Sequence, residues 1–453
     1  MKKYKKSVFI FRRDLRVEDN TALIEALTQS EKVLPCFIFD ERQISSKNEY
    51  KSNNAMQFMV KSLEDLEKQL KEKKGKLYYF YGKSEEFFER FIPKEKIDAI
   101  FVNKDYTPFS KKRDTALKEV CEKNKIDFLE LDDLLLNQIE MTLKKDKKPY
   151  TIFTPYYNNA KKIEIKLPTK NNFTNYFTEE LKFENKTLMI NLKNLFNDSI
   201  ALHGGRSEGK KVLKNIKNFE DYFFIKDFPA KKTTMLSAHN KFGTISIREI
   251  YWGIIEQLGP YSPILRQLYW RDFFTQIAYN FPRVFGSNFY KKFDTVVWIN
   301  NKGEFEAWKS GKTGYPIIDA GMRELNETGF MHNRVRMIVA SFLTKDLHID
   351  WREGEKYFAQ KLIDYDPCVN NGNWQWASGT GCDASPYFRI FNPFIQQKKF
   401  DPSCEYIKNW IPELKEIDPK IIHNEKEIEK YYIQKIVNHS EEVRKAKKYY
   451  KVN

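Results

Sequence analysis

The sequence predicts an α/β domain followed by an all-helical domain, and three observations carry that expectation. Short β-rich apolar runs alternate with helical patterns up to about residue 131. The alternation then stops in a polar stretch, rich in Lys and Asn, that runs to about residue 200. Beyond Leu202 strand signals nearly vanish while helical periodicity continues. At 453 residues the chain is also long for one hydrophobic core, so two domains are the default.

The β-rich runs fall at 7–11, 33–39, 76–81, 99–103 and 127–131, with helix-period segments between them at 21–28, 56–73, 85–91 and 113–123. Strands separated by helices cannot be joined by hairpins, so the sheet is expected to be parallel and doubly wound. The stretch 132–200 shows little periodicity and reads as a connector lying over the surface. Helical periodicity resumes at 247–258, 264–279, 317–327, 333–347 and 355–362. Gly259-Pro260, Phe281-Pro282 and Gly314-Tyr315-Pro316 mark breaks. The expected domains are therefore 1–131 (α/β), 132–200 (connector) and 201–453 (helical).

Composition narrows the class. The 78 basic residues against 62 acidic ones give a formal charge of +16, which favours an anionic partner such as nucleic acid. A lysine-rich genome would produce the same excess without such a partner. Aromatic residues make up 15% of the chain, and six of its eight tryptophans lie between 270 and 376, which directs attention to the C-terminal half. No run of about 18 apolar residues occurs, and Arg12, Arg13 and Asp14 interrupt the short apolar start of the chain. A signal peptide and a membrane span are thus not expected, and the expected location is cytoplasmic. The five cysteines form no Cys-x-x-Cys pair and the histidines show no ligand spacing with them, so no metal is expected.

The common hydrolytic and phosphoryl-transfer motifs have no anchor here. No Gly-x-Gly-x-x-Gly follows the first strand, and there is no Walker loop, His-Glu-x-x-His or Gly-x-Ser-x-Gly. What remains is a set of polar and aromatic residues at helical spacing. Gln267, Trp270 and Arg271 share one helix face, which suits a planar polar ligand, although a mixed helix surface with one buried Trp explains it as well. Asn333, Arg336 and Met337 share another face on a helix that is otherwise largely apolar. Buried polar groups there need partners, which Asp364 or Asp366 could supply. In Asp364-Tyr-Asp-Pro-Cys-Val-Asn-Asn-Gly-Asn-Trp-Gln-Trp376, Asn370 and Trp374 lie one helical turn apart, in a stretch poor in aliphatics that resembles the wall of an aromatic ligand cavity.

These motifs, with Phe11-Arg-Arg-Asp-Leu-Arg16, Asp19-Asn20, Thr233-Thr-Met-Leu-Ser237 and Gln267-Leu-Tyr-Trp-Arg271, carry a resemblance over nearly the whole chain. It is densest in Gly311-Lys-Thr-Gly-Tyr-Pro-Ile-Ile-Asp319, Met331-His-Asn-Arg334, Asn370-Asn-Gly-Asn-Trp-Gln-Trp376 and Tyr387-Phe-Arg-Ile-Phe-Asn-Pro393. The chain resembles the photolyase/cryptochrome family, nearest the class I cyclobutane pyrimidine dimer photolyases. The resemblance implies a carbon–carbon lyase that binds FAD in its helical domain and repairs pyrimidine dimers in UV-damaged DNA, using light and the reduced cofactor. It also implies which residues do this. Tyr222 and the stretch Thr233, Thr234, Met235, Leu236 and Ser237 match positions holding the cofactor's phosphates and ribityl chain. Gln267, Arg271, Asn333, Arg336, Asp364 and Asp366 match others around it, and Asn370 matches the residue beside the reactive ring nitrogen. Trp374, Trp351 and Trp298 match an electron-transfer chain. Trp270 and Trp376 match the aromatic walls of the dimer pocket, which Gln267, Asn333 and Met337 also line. Lys226, Arg334 and Arg389 match phosphate-contacting positions.

Three departures from the family pattern are visible. Met235 stands where an Arg is common, and Gln267 where a Glu is common. Phe109 and Ser110 stand where folate-binding members carry Asn and Glu, so an antenna could be a deazaflavin, a second flavin, a folate or absent. The rivals are a (6-4) photolyase, which typically has His-His where this chain has His332-Asn333, and a cryptochrome-type light receptor. The sequence ends about sixty residues after Asn392-Pro393, without a long low-complexity tail of the receptor kind. The expected partner is damaged DNA, with no membrane, and the expected state is a monomer.

Overall fold

A computed structural model describes residues 2–185, 187–193, 196–384 and 388–451. Its sheet has five parallel strands, β1 (Tyr4–Phe11), β2 (Ser30–Phe39), β3 (Tyr78–Tyr81), β4 (Ala99–Asn103) and β5 (Asp127–Leu131), in the order β3-β2-β1-β4-β5. The doubly wound fold expected from the alternation is therefore present, with strands and helices in the expected order. β1 and β2 each begin three residues before their apolar runs. Tyr4 pairs with Ser30, and a ladder continues as long as both backbones can exchange hydrogen bonds, whatever the side chains.

Helices α1 (Thr21–Gln29), α2 (Asn53–Glu72), α3 (Ser84–Glu95) and α4 (Pro108–Lys123) connect the strands. Three of their starts were marked by residues that accept from orphan backbone N–H groups. Asn20 caps α1, Ser52 caps α2, and Thr107 caps α4 ahead of Pro108 at the first helical position. Val8, Ile10, Leu34, Ile100 and Val102 are buried with Phe88, Phe91 and Leu117 from the helices, forming one apolar layer.

The chain folds into two compact units. One comprises residues 1–196, 202–220 and 236–282; the other comprises 197–201, 221–235 and 283–453. The first contains the sheet and also α5 (Phe153–Ala160), α6 (Arg206–Lys214), α7 (Ile247–Leu258) and α8 (Pro263–Asn280). The stretch read as a connector is thus partly built into this unit. Phe153 and Tyr156 are buried, and Tyr176 bridges to Val33 beside β2.

The second unit is helical. Its elements include α9 (Lys302–Ser310), α10 (Pro316–Thr328), α11 (Asn333–Lys345), α12 (Trp351–Lys361), α13 (Pro367–Ser378), α14 (Pro393–Phe400) and α15 (His439–Tyr449). Its core gathers Trp308, Tyr315, Ile318, Val339, Phe342 and Leu343 with Trp351, Phe358 and Trp374. Among the described residues no helix is long and apolar enough to cross a membrane. Tyr387, the first residue of one family motif, lies outside the described residues.

Candidate active site

Within the second unit, α11, the turn after α12 and the start of α13 present the polar residues singled out in the sequence. Arg336 lies on the first turns of α11, and its Nη1 and Nη2 donate to Asp364 Oδ1 and Oδ2 at 3.2 and 3.0 Å, a bidentate pair. Its Nε donates to the Met331 carbonyl at 2.7 Å, so the guanidinium plane is fixed. Asp364 is thus the carboxylate that partners this arginine on a largely apolar helix. Asp366 has a different task. Its Oδ1 accepts from the Cys368 and Val369 amides at 3.0 and 3.2 Å, which makes it the N-cap that starts α13.

Asn370, on the first turn of α13, donates its amide to the Glu355 carbonyl at 3.2 Å and to Glu355 Oε1 at 3.1 Å. Both contacts use the NH2 group, so the amide oxygen faces away from Glu355. Glu355 itself is buried in α12. Burial pushes its carboxyl up to about 7, and the Asn370 hydrogen bond offsets only part of that. Glu355 carried no signal in the sequence, because one acidic residue on an amphipathic helix looks like surface.

The tryptophans are held individually. Trp374 is buried against Phe358, with ring centroids 4.9 Å apart, and against Trp308 at 6.3 Å. Its indole also lies over Gly354, where an added Cβ would come within 2.3 Å of Trp374 Cη2. Trp351 opens α12, and its Nε1 donates to Asn288 Oδ1 at 2.8 Å. Trp298 is half-buried and meets the Tyr450 ring edge-on at 6.1 Å. Trp308 donates to the Val339 carbonyl at 3.1 Å and is fully buried. No spacing in the sequence places Trp308 beside Trp374, because tertiary packing alone brings them together.

Trp376 is half-buried on α13. Asn333 is exposed, and its amide points at Met337 Sδ, 3.8 Å away. Tyr222 is half-buried, and burial pushes its hydroxyl up to about 12. Thr233, Thr234 and Met235 are half-buried as well, and Met235 has φ +51, in the left-handed region that a non-glycine residue adopts only under constraint. Lys226 and Arg334 are joined through Asp227, at 2.8 and 2.6 Å. Although burial alone would raise the Asp227 carboxyl, Lys226 and Arg334 hold it below the ordinary range. Arg389 is exposed, and its carbonyl accepts from the buried ammonium of Lys345, which also donates to Ala377 O at 2.8 Å.

In the first unit, Leu236 is buried and Ser237 exposed at the start of a short helix. Gln267, Trp270 and Arg271 share a face of α8 as expected. Gln267 is exposed, and Trp270 stacks on Phe153 of α5 at 3.6 Å between centroids, with planes 6° apart. Arg271 donates to the Leu134 carbonyl at 2.8 Å and to Asp272 at 3.2 Å. Burial pushes the Asp272 carboxyl up to about 7 against the pull of Arg271.

The carboxyl ends of β1 and β4 mark the point where strand order reverses, the usual ligand-binding position of a doubly wound sheet. A cavity there is lined by Arg12, Arg13, Asp14, Asn103, Lys104 and Asp105, among others. In the same unit, the guanidiniums of Arg42 and Arg113 lie 5.2 and 5.9 Å from the centre of the Phe109 ring. Ser110 Oγ donates to Asp105 at 2.8 Å.

Comparison with known proteins resolves what this arrangement belongs to. Residues 7–172 match the DNA photolyase family and residues 264–452 match the FAD binding domain of DNA photolyase. The chain belongs to the DNA photolyase family. A deoxyribodipyrimidine photo-lyase of Alkalihalophilus pseudofirmus is 36% identical, with 97% of each chain covered. One from Escherichia coli is 34% identical over 91% of this chain and 90% of its own. Among solved structures, an archaeal photolyase from Sulfolobus tokodaii with two FAD molecules superposes with a TM-score of 0.90 at 45% identity, covering 98% of this chain and 99% of that one. A cryptochrome from Synechocystis is more distant, with a TM-score of 0.87 at 26% identity over 99% of this chain and all of its own. The photolyase fold is thus the fold of this enzyme, and FAD is its cofactor.

The residues of the second unit fit that cofactor. An isoalloxazine edge alternates N–H and C=O groups, and here one unit offers an amide oxygen (Asn370), a carboxylate (Asp364) and a guanidinium (Arg336), the last two already fixed in orientation.

Proposed function

We propose that the protein is a light-driven DNA repair enzyme that splits cyclobutane pyrimidine dimers. When bound and reduced, FAD would supply the light-driven electron transfer that opens the cyclobutane ring. The observation that carries the reading is the Asn370–Glu355 pair. Its amide NH2 donates to Glu355, which leaves its oxygen as an acceptor, and Asn370 would hold the flavin without offering it an acidic proton. A neutral amide at that point suits a flavin that must stay a reduced anion.

The remaining roles follow from the same reading. Tyr222, Thr233, Thr234, Met235, Leu236, Ser237, Gln267, Arg271, Asn333, Arg336, Asp364 and Asp366 bind the cofactor, Asp366 by capping the helix that carries Asn370. Trp374, Trp351 and Trp298 pass electrons to it. Gln267, Trp270, Asn333, Met337 and Trp376 receive the flipped-out dimer, whose extrusion costs a few kcal/mol and is easiest for a damaged base. Lys226, Arg334 and Arg389 contact phosphates without regard to sequence. The roles divide along the chain as an α/β domain over 1–131, a connector over 132–200 and a catalytic helical domain over 201–453. The matches at 7–172 and 264–452 have the same order, a photolyase part followed by a FAD-binding part, although the first runs past residue 131.

A second flavin as antenna, rather than a deazaflavin or folate, is favoured by the two FAD molecules of the 45% identical relative and by the occupation of the folate positions by Phe109 and Ser110. We take the enzyme to be a cytoplasmic monomer. The 45% identity to a photolyase against 26% to a cryptochrome favours repair over light signalling. Illuminating a dimer-containing oligonucleotide with reduced protein should restore its thymines, with no change in the dark. Thymines not restored under light would refute the proposal.

A further inference from the structure

The short helix Tyr222–Ile225 of the second unit turns two phenylalanines into water. Phe223 is 64% and Phe224 74% exposed, and the two rings meet edge to face at 5.4 Å between centroids. Adjacent apolar rings left in solvent mark a contact surface more often than an isolated exposed residue does.

Their neighbours say what the contact is made with. Lys226 follows on the next turn, its amide bonded to the Tyr222 carbonyl at 3.0 Å, and Lys231 and Lys232 are exposed five and six residues further on. Asp227 ties Lys226 to Arg334, and the Arg334 guanidinium lies over the Phe400 ring at 4.3 Å. Lys399 sits on the same ring at 5.2 Å, and Phe228 meets its edge at 6.5 Å. Cations and rings thus lie side by side here, with Asp227 between two of the cations and the exposed Glu220 and Asp221 just ahead of the rings. Two rings alone are too small for a stable protein interface, which needs on the order of 1,000 Å². A nucleic acid strand supplies both anions for the lysines and flat faces for the rings.

Resting on the repair reading above, we propose that Phe223 and Phe224 stack on nucleobases left unpaired where a duplex opens around a lesion, while Lys226 and Arg334 hold phosphates of the same strand. Bases inside an intact duplex offer no free face, whereas extrusion of a dimer leaves its former partners unstacked. The pair would then read openness of the duplex rather than its sequence.

The test uses the full chain with its flavin, comparing wild type, Phe223→Ala/Phe224→Ala and Phe223→Tyr/Phe224→Tyr. Affinity is measured for a dimer-containing duplex, the same duplex undamaged, and an undamaged duplex with a two-base mismatch bubble. The alanine variant should bind the dimer and bubble duplexes roughly tenfold more weakly or worse, with the intact duplex unaffected. The tyrosine variant should bind like wild type, and flavin absorbance should be the same in all three. Equal losses on all three duplexes would overturn the proposal, since they would mean contact with the backbone. So would no loss on any, or loss of concentration-dependent self-association with DNA binding intact, which would make a second copy the occupant. Wild type showing no preference for the dimer over the intact duplex would refute the repair reading instead. Weakened bubble binding by the alanine variant would then still support stacking.

Discussion

At the scale of single residues, the side chains that matter are those whose partners decide what they present. In the proposed site Asn370 presents its oxygen because Glu355 occupies its NH2 group, and Glu355 in turn is a carboxyl that burial holds up to about 7. A folded-state value raised above the usual 4.5 contributes stability that is present at low pH and is lost as pH rises through about 7. Glu355→Gln should therefore gain stability relative to wild type between pH 4.5 and 8, by roughly 2–3 kcal/mol from a shift of this size. Urea unfolding of both proteins at the two pH values checks this, and parallel curves would show that Glu355 is not strained by ionisation. Trp374 is buried between Phe358, Trp308 and Gly354, so an aromatic replacement keeps most of its packing. Trp374→Phe should impair photoreduction of oxidised FAD, followed by absorbance, and spare repair when the flavin is reduced chemically. Loss of both would break the assigned electron-transfer role.

Among the elements, α12 and α13 set the geometry of the proposed site, and their closeness depends on one glycine. A Cβ at position 354 would meet Trp374 Cη2 at 2.3 Å and Leu343 Cδ2 at 2.4 Å, both inside a filled core. Gly354→Ala should cost about 1–3 kcal/mol by overpacking. It should also slow photoreduction by displacing the indole, and thermal unfolding with the same absorbance assay reads both. The sequence showed these helices through their periodicity but not their mutual approach, because a glycine inside an amphipathic pattern looks the same whether it faces solvent or an indole. The same limit applies elsewhere. Strands β4 and β5 begin and end where their β-rich runs do. The helix Phe153–Ala160 was not legible, having two turns, no side-chain N-cap and a burial that comes from stacking Phe153 on Trp270 far along the chain. That Arg336 needs a carboxylate was legible, because an arginine on an apolar helix demands one, but Asp364 and Asp366 were equal candidates until the fold gave Asp366 to the start of α13. Glu355 and Asp227 were not legible, because no buried cation or amide pointed to them from nearby sequence.

For the whole molecule, a formal charge of +16 on a chain whose proposed partner is a polyanion makes binding strongly salt-dependent. Arg389 is exposed on the segment that Lys345 anchors, so its removal leaves the core unchanged. Arg389→Ala should lower the slope of log K against log salt by about 1, with affinity reduced equally for all undamaged sequences. An unchanged slope would take this residue out of the DNA contact. The order of strands and helices was legible in the periodicity, while the grouping of 132–196, 202–220 and 236–282 with the sheet depends on long-range contacts that periodicity does not encode. Repair is proposed to be driven by light through the reduced cofactor. Single-flash illumination of the protein on dimer-containing DNA, with its flavin set fully reduced or fully oxidised, measures this most directly. Restored thymines only after a flash on the reduced form are predicted; equal repair from the oxidised form, or repair in darkness, would contradict it.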